Sequence, residues 1–276
     1  MANQIDQYIK FIFEAPTNGG HKIVHDVYRK GRGAPIVIIQ ELPGIGPQTL
    51  RLADLLIRRG FEVFIPHLFG PIGKLSVVGN TARVMCMRKE FSLFSTNKSS
   101  PIVDWLKALC RDITANRSFP GVGVIGMCLT GNFALSLIAD DSVLAAVASQ
   151  PALPFLKQAS LHMSEQEIED VKAGIDASAP IKAYRFKHDW MSSAEKFYCI
   201  SDKLNTDGKT RIDLRTLRGE GHSVLTLDFV DEEGHPTKLA LEEIFDYFEA
   251  QLSKKTESVE TVSSNNIETI LACAGT

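Results

Sequence analysis

The chain of 276 residues has no long apolar run, no paired-cysteine motif and no excess of either charge. Its longest purely apolar runs, such as Ile36 to Ile39 and Val143 to Ala148, fall far short of the roughly 18 to 20 residues needed to span a bilayer. No transmembrane helix is expected. The start, MANQIDQYIKFIF, lacks a basic segment followed by a long apolar stretch and a small-residue cleavage site, so a secretory signal is not expected and a cytoplasmic location follows. Five cysteines (Cys86, Cys110, Cys128, Cys199 and Cys273) are odd in number, scattered and without a C-x-x-C pair. That pattern argues against a disulfide framework and against a zinc site. Lys plus Arg number 30 against 33 Asp plus Glu, a formal charge of −3, which favours neither nucleic acid nor an anionic membrane as partner.

What is present suits a packed core, with 44% apolar and 23% charged residues. No internal repeat or interdomain linker is visible, and α/β domains reach roughly 250 residues as one unit. Residues 1–253 therefore read as one domain. Beyond Leu252 the polar stretch SKKTESVETVSSNNIETILACAGT reads as a mobile C-terminal tail, 254–276.

Short β-branched or apolar runs alternate with segments of helical period between residues 34 and 253, the pattern of a mostly parallel sheet covered by helices on both faces. The class is α/β. Seven candidate strands are Ile23 to Tyr28, Pro35 to Gln40, Phe61 to Pro66, Val122 to Gly126, Leu144 to Ser149, Ile181 to Phe186 and Ile212 to Leu217. Helices are predicted over Thr49 to Arg59, stopping at Gly60, and over Pro101 to Thr114. Ser164 and Glu167 form a capping-box pattern, and Leu239, Leu241, Ile244, Phe245 and Phe248 recur at helical spacing after His235-Pro236. The segment 70–100 mixes Pro, Gly, Ser and Asn with an apolar middle and reads as a lid or a helix over the site.

The sharpest local signal is GVGVIGMCLTG, a buried strand followed at once by Cys128 and then by a helical run that Gly131 opens. A nucleophile on such a turn projects above the sheet, on a backbone strained by about 1–3 kcal/mol. Gly126 relieves crowding before the turn, and the helix N-terminus favours the reactive thiolate. The other four cysteines read as packing residues or bystanders.

With the segments IVIIQELPGIG, FEVFIPHLFG and RGEGHSVL, this motif resembles the dienelactone hydrolase family, a cysteine-nucleophile branch of the α/β-hydrolases. The resemblance covers most of residues 20 to 250, in family order. It implies an α/β-hydrolase fold of about seven or eight strands, and a nucleophile, acid and base in the chain order Cys, Asp, His. His222 suits the base, because it stands in a Gly-Glu-Gly-His loop just beyond a strand. Asp189 suits the acid, standing just after the strand Ile181 to Phe186; a helix-capping role near Ser192 is the alternative. Glu41, at the end of a buried strand, needs a specific partner. By resemblance it takes part in activating the cysteine, with a structural ion pair as the alternative. Resemblance and elbow geometry together place the oxyanion hole at the backbone N–H groups of Leu42 and Leu129.

Three positions depart from the family pattern. Thr130 replaces the glycine usual two residues after the nucleophile, where it either tilts the turn or adds a hydroxyl to the site. Thr226 stands four residues after the histidine, where characterised members carry an arginine that binds the substrate carboxylate. His67 stands where relatives commonly have aspartate. Arg83 and Arg88 are candidates for binding an anion, with a solvated surface role as the alternative. The insertion from Pro151 to Pro180, with Phe155 in it and Trp190 beyond it, either shapes an apolar entrance or packs on the core.

The resemblance implies a hydrolase for a small ester or lactone that needs neither metal nor organic cofactor and acts as a monomer or homodimer. The rival readings are a general carboxylesterase or thioesterase with the same residues, and a non-catalytic binding or redox-sensing protein on the same fold.

Overall fold

The computed structural model describes residues 4–18, 20–42, 44–70, 72, 100–152, 159–161 and 163–253. Arg83, Arg88, Cys86, Phe155, Cys273, nearly all of the 70–100 segment and the 254–276 tail lie outside the described residues.

Eight strands form one sheet among the described residues: β1 Ile9–Pro16, β2 Lys22–Gly31, β3 Pro35–Ile39, β4 Glu62–Pro66, β5 Val122–Met127, β6 Val143–Ser149, β7 Ile181–Phe186 and β8 Ile212–Leu217. Their spatial order is β1-β2-β4-β3-β5-β6-β7-β8. Strands β3 to β8 run parallel, and β2 joins them antiparallel through β4. Central strands read as continuous apolar runs because both faces are covered: all five residues of β3 and all seven of β6 are buried.

Helices α1 (Pro47–Arg58), α2 (Pro101–Ala115), α3 (Gly131–Leu137), α4 (Glu165–Ala177), α5 (Ala194–Leu204) and α6 (residues 236–253) flank the sheet. Alternation along β3 sorts the core into two layers. Val37 and Ile39 face the side holding Leu106 and Leu109 of α2, Phe133 of α3, Val171 of α4 and Ile200 of α5. Ile36 and Ile38 face the other side, with Leu52 and Leu56 of α1 and Ile244 and Phe248 of α6. The capping box predicted at Ser164 is present, the Ser164 side chain accepting from the Glu167 N–H. No helix of the described residues is long and apolar enough to cross a membrane.

One strand escapes the sequence pattern. β1 pairs antiparallel with β2 from Ile9 opposite Arg29 to Pro16 opposite Lys22. Its inward residues include Phe13, which meets Trp105 edge-on at 5.4 Å between ring centroids. Its outward face runs Lys10, Ile12 and Glu14, so an exposed apolar residue interrupts the polar side, and Ile9, in phase with Phe13, is exposed at the strand's start.

The order β4-β3-β5 matters most for function. β3 leads through α1 to β4 on one side, while its other neighbour is β5, so the winding reverses between β3 and β5. Crevices at such a reversal, beyond the carboxyl ends of the strands, are where open α/β sheets bind ligands. Glu41 follows β3 there, and Cys128 follows β5.

Candidate active site

Cys128 stands between β5 and α3 in a single turn of 3-10 helix, Cys128–Thr130, with φ +58. A non-glycine residue in the left-handed region carries strain of about 1–3 kcal/mol, and such strain collects at functional sites. Close packing enforces the turn. A Cβ on Gly126 would fall 2.2 Å from the Thr130 carbonyl oxygen, and one on Gly131 would fall 3.0 Å from Pro151 Cα. The side chain of Cys128 is buried but for 5%.

Thr130 takes part in the same enforcement. Its hydroxyl accepts the Met127 N–H at 2.9 Å, and its single proton has the carbonyls of Ile39 and Met127 within reach, each at 2.9 Å. This residue neither tilts the turn away nor offers a hydroxyl to the site; it stitches the elbow to the end of β3. Glycine in that place lacks the stitch.

Asp189 and His222 meet although 33 residues separate them. Asp189 follows β7 and is buried, and its Oδ2 lies 2.7 Å from His222 Nδ1. The other oxygen, Oδ1, accepts the N–H groups of Met191 at 2.9 Å and Ser192 at 3.1 Å. One carboxylate therefore shapes its own turn and orients the imidazole, while the cap of α5 is Ser193. His222 Nε2 is buried without a hydrogen bond of ordinary geometry, and Cys128 lies against the ring. Burial works to lower the imidazole pKa, but the bond to Asp189 and the nearness of Cys128 prevail and push it up to about 10. The ring thus stands between a carboxylate and a sulfur.

The loop presenting His222 is held from two sides. Asp228 Oδ2 accepts the N–H groups of both His222 and Ser223 at 2.8 Å. Gly221, at φ +119, makes room for that carboxylate, since a Cβ there would lie 2.6 Å from Asp228 Cγ. From α1, Arg51 Nη2 donates to the Thr226 carbonyl at 2.6 Å, with its guanidinium 4.9 Å from the Phe229 ring centroid.

Glu41 is buried at the carboxyl end of β3, and burial raises its pKa, opposed by its hydrogen bonds and by the charge of His222. Its Oε2 accepts from Gln150 Nε2 at 3.0 Å and Ser223 Oγ at 3.0 Å, while Oε1 pairs with the Thr226 hydroxyl. Three neutral groups thus hold it, and among the described residues it has no ion pair and no hydrogen bond to Cys128. The arginine expected by resemblance at position 226 is replaced by a threonine whose side chain is spent on Glu41. Gln150 was not foreseen. It ends β6 in the left-handed region at φ +35, its N–H donating to the Tyr184 carbonyl at 2.6 Å.

The remaining candidates fall elsewhere. His67 bonds the Gly70 carbonyl through Nε2 at 2.7 Å, and His235 pairs with Thr237. Trp190 is 80% exposed beside Asp189 and does not pack on the core. Cys110 is buried in α2, where burial drives its thiol pKa up. No group of three or more His, Cys, Asp or Glu residues is arranged to hold a metal among the described residues.

Solved structures share this fold. A dienelactone hydrolase from Anabaena variabilis superposes with a TM-score of 0.56 at 16% identity, covering 89% of this chain and 99% of its own. A putative dienelactone hydrolase from Klebsiella pneumoniae gives 0.61 at 14%, covering 87% and 98%, and an esterase from Pyrococcus furiosus gives 0.58 at 13%, covering 89% and 92%. At the sequence level, a carboxymethylenebutenolidase from Rhodococcus opacus is 29% identical over 105 residues, so the match spans 38% of this chain and 38% of that protein. The model of the Dienelactone hydrolase family matches residues 26–252, from within β2 to the last turn of α6. Because that match takes in Glu41, Cys128, Asp189 and His222 together with the strands that place them, the chain belongs to the dienelactone hydrolase family.

Proposed function

We propose that the protein hydrolyses a small ester or lactone, with Cys128 as nucleophile, His222 as general acid and base, and Asp189 as the group that orients His222. The observation that carries this reading is the bond of 2.7 Å between Asp189 Oδ2 and His222 Nδ1, which turns the buried Nε2 toward a cysteine held on a strained elbow. The bond to Asp189 and the nearness of Cys128 push the imidazole pKa up to about 10 against its burial, so the ring is suited to carry a proton beside the sulfur.

The thiolate attacks the carbonyl carbon, and the N–H groups of Leu42 and Leu129 stabilise the oxyanion. As the tetrahedral intermediate collapses, His222 Nε2–H protonates the leaving oxygen, giving a thioester on Cys128 and an alcohol. His222, now neutral, takes a proton from water, and the resulting hydroxide attacks the thioester carbonyl. Collapse releases the acid and restores the thiolate. Asp189 keeps the proton on Nδ1 throughout and stabilises the imidazolium. Glu41 supports activation of the cysteine from behind, through Ser223 beside His222.

Thr226 favours a second reading, a general carboxylesterase or thioesterase acting on neutral substrates, because its hydroxyl is committed to Glu41 and no arginine stands there for a substrate carboxylate. Hydrolysis of activated esters, thioesters and unsaturated lactones by wild type and Cys128→Ala, across about pH 5 to 9, tests both. Turnover lost in the variant supports the cysteine hydrolase, and a preference for anionic lactones removes the second reading. Equal activity in both proteins refutes Cys128 as nucleophile. Reversible oxidation of Cys128 without any turnover points instead to a sensor on the same fold.

A further inference from the structure

The turn that carries Asp189 is itself held by a buried cation. Along β7, Ile181 and Ala183 point into the core layer beneath α4 and α5, and the next residue in phase is Arg185, only 4% exposed. Its Nε donates to the Ser192 carbonyl at 2.6 Å, and its Nη2 donates to the carbonyls of Lys187 at 3.1 Å and Asp189 at 3.3 Å. The guanidinium lies over the Phe197 ring of α5, 5.6 Å from the centroid. No carboxylate closes a salt bridge with it among the described residues, and the carboxylate charge acting on it is that of Asp189.

Burying a guanidinium costs several kcal/mol, and an apolar side chain in phase with Ile181 and Ala183 would fill the core without that cost. What an apolar residue lacks is a planar fork of donors. Three carbonyls of one short turn converge on that fork. With those carbonyls turned toward Arg185, the N–H groups of Met191 and Ser192 point at Asp189 Oδ1, leaving Oδ2 for His222.

We infer that Arg185 is a positioning residue for the hydrolytic reaction: its donor fork sets the 187–192 turn so that Asp189 meets His222. It does not touch the substrate. The inference rests on the reading of Asp189 and His222 as the catalytic pair.

The test is a double-mutant cycle with Arg185→Met and Asp189→Asn, in which Arg185→Lys serves as a charge-keeping variant that lacks the fork. In the wild-type background, both Arg185 variants should lower kcat by about 10- to 100-fold while KM stays within about twofold, the size of effect seen when a supporting residue misplaces a catalytic group. In the Asp189→Asn background, the further loss should be under about threefold, because the group that Arg185 positions has already lost its function. A merely structural role would give equal losses in both backgrounds, and that result overturns the inference.

A second measurement needs no turnover. The groups facing His222 are Asp189 at Nδ1, Cys128 on the Nε2 side, Glu41 through its charge, and Asp228 at the backbone N–H. Of these, only Asp189 is bound to Nδ1. The Nδ1 proton resonance should therefore be shifted strongly downfield in wild type and should move upfield in Arg185→Lys and Arg185→Met. An unmoved resonance overturns the inference. If Cys128→Ala kept full turnover, the hydrolase reading would fail, and this resonance would still decide whether Arg185 positions Asp189.

Discussion

Replacing Thr130 by valine removes one hydroxyl and keeps the shape of the side chain. Thr130 is fully buried, and its oxygen serves the Met127 N–H and the Ile39 carbonyl, each at 2.9 Å. Valine leaves both groups without a partner in a dry site, and each buried orphan costs about 1–3 kcal/mol. The methyl that replaces the hydroxyl returns about 0.8 kcal/mol. The net cost is therefore about 1–5 kcal/mol. At about 2–4 °C per kcal/mol for a chain of this size, Tm should fall by about 2–20 °C. Thr130→Ser keeps the hydroxyl, loses a methyl and should cost only about 1 kcal/mol. Thermal unfolding of the three proteins in parallel is the assay, with ester turnover measured below the transition. Because the lost bonds join the elbow to β3, kcat should fall in the valine variant and hold in the serine variant. A valine variant that melts at or above the serine variant would refute the stitch.

Three further substitutions probe the site. Glu41→Gln removes a carboxyl whose ionisation burial disfavours, so stability above the ordinary carboxylate range should rise by about 1 kcal/mol while turnover falls at least about tenfold. Since the folded-state pKa of Glu41 is raised, its native carboxyl holds a proton that the unfolded one has released, and the stability gap should widen as pH climbs above the ordinary carboxylate range; a constant gap in urea unfolding speaks against it. His222, pushed from 6.5 up to about 10, contributes stability that is full below about 6.5 and lost as pH rises to about 10. Wild type should therefore lose stability more steeply than His222→Gln across that window, and parallel profiles would contradict the shift. Gly221→Ala places a Cβ 2.6 Å from Asp228 Cγ at a φ of +119, so kcat should drop more than about tenfold, and wild-type kcat in that variant would show that the loop relaxes freely.

The elbow was legible in the sequence because its parts are contiguous: the β5 strand, Cys128 and the Gly131 helix follow one another, with Gly126 where any Cβ would strike the Thr130 carbonyl. Asp189 and His222 became candidates for a related reason, since each stands just past the carboxyl end of a strand expected from the sequence. β1 was not legible, because Ile12 stands between Lys10 and Glu14 on its outward face, where alternation would call for a polar residue. The partners of Glu41 were not legible either. Gln150, Ser223 and Thr226 lie 109, 182 and 185 residues from it, and only the return of the chain to the β3 end brings them together. Thr130 was misread for the opposite reason. Against a pattern with glycine it appears as a defect, whereas the fold turns its hydroxyl away from the site and onto backbone.

A different use of the same strand patterns reaches some of what was missed. A buried parallel strand is apolar along its length, so a polar residue at its carboxyl end must be satisfied by something specific. β3 runs out into Gln40 and Glu41, β6 into Ser149 and Gln150, and β7 carries Arg185 in phase with Ile181 and Ala183. All of these residues are buried. Their polar atoms reach the partners of the site: Gln150 bonds Glu41, Glu41 bonds the loop of His222, and Arg185 bonds the turn of Asp189. The cost of burying these groups is what makes them informative. Each such residue displaces apolar packing, and the ends of β3, β6 and β7 together outline the candidate site before Cys128, Asp189 or His222 is considered.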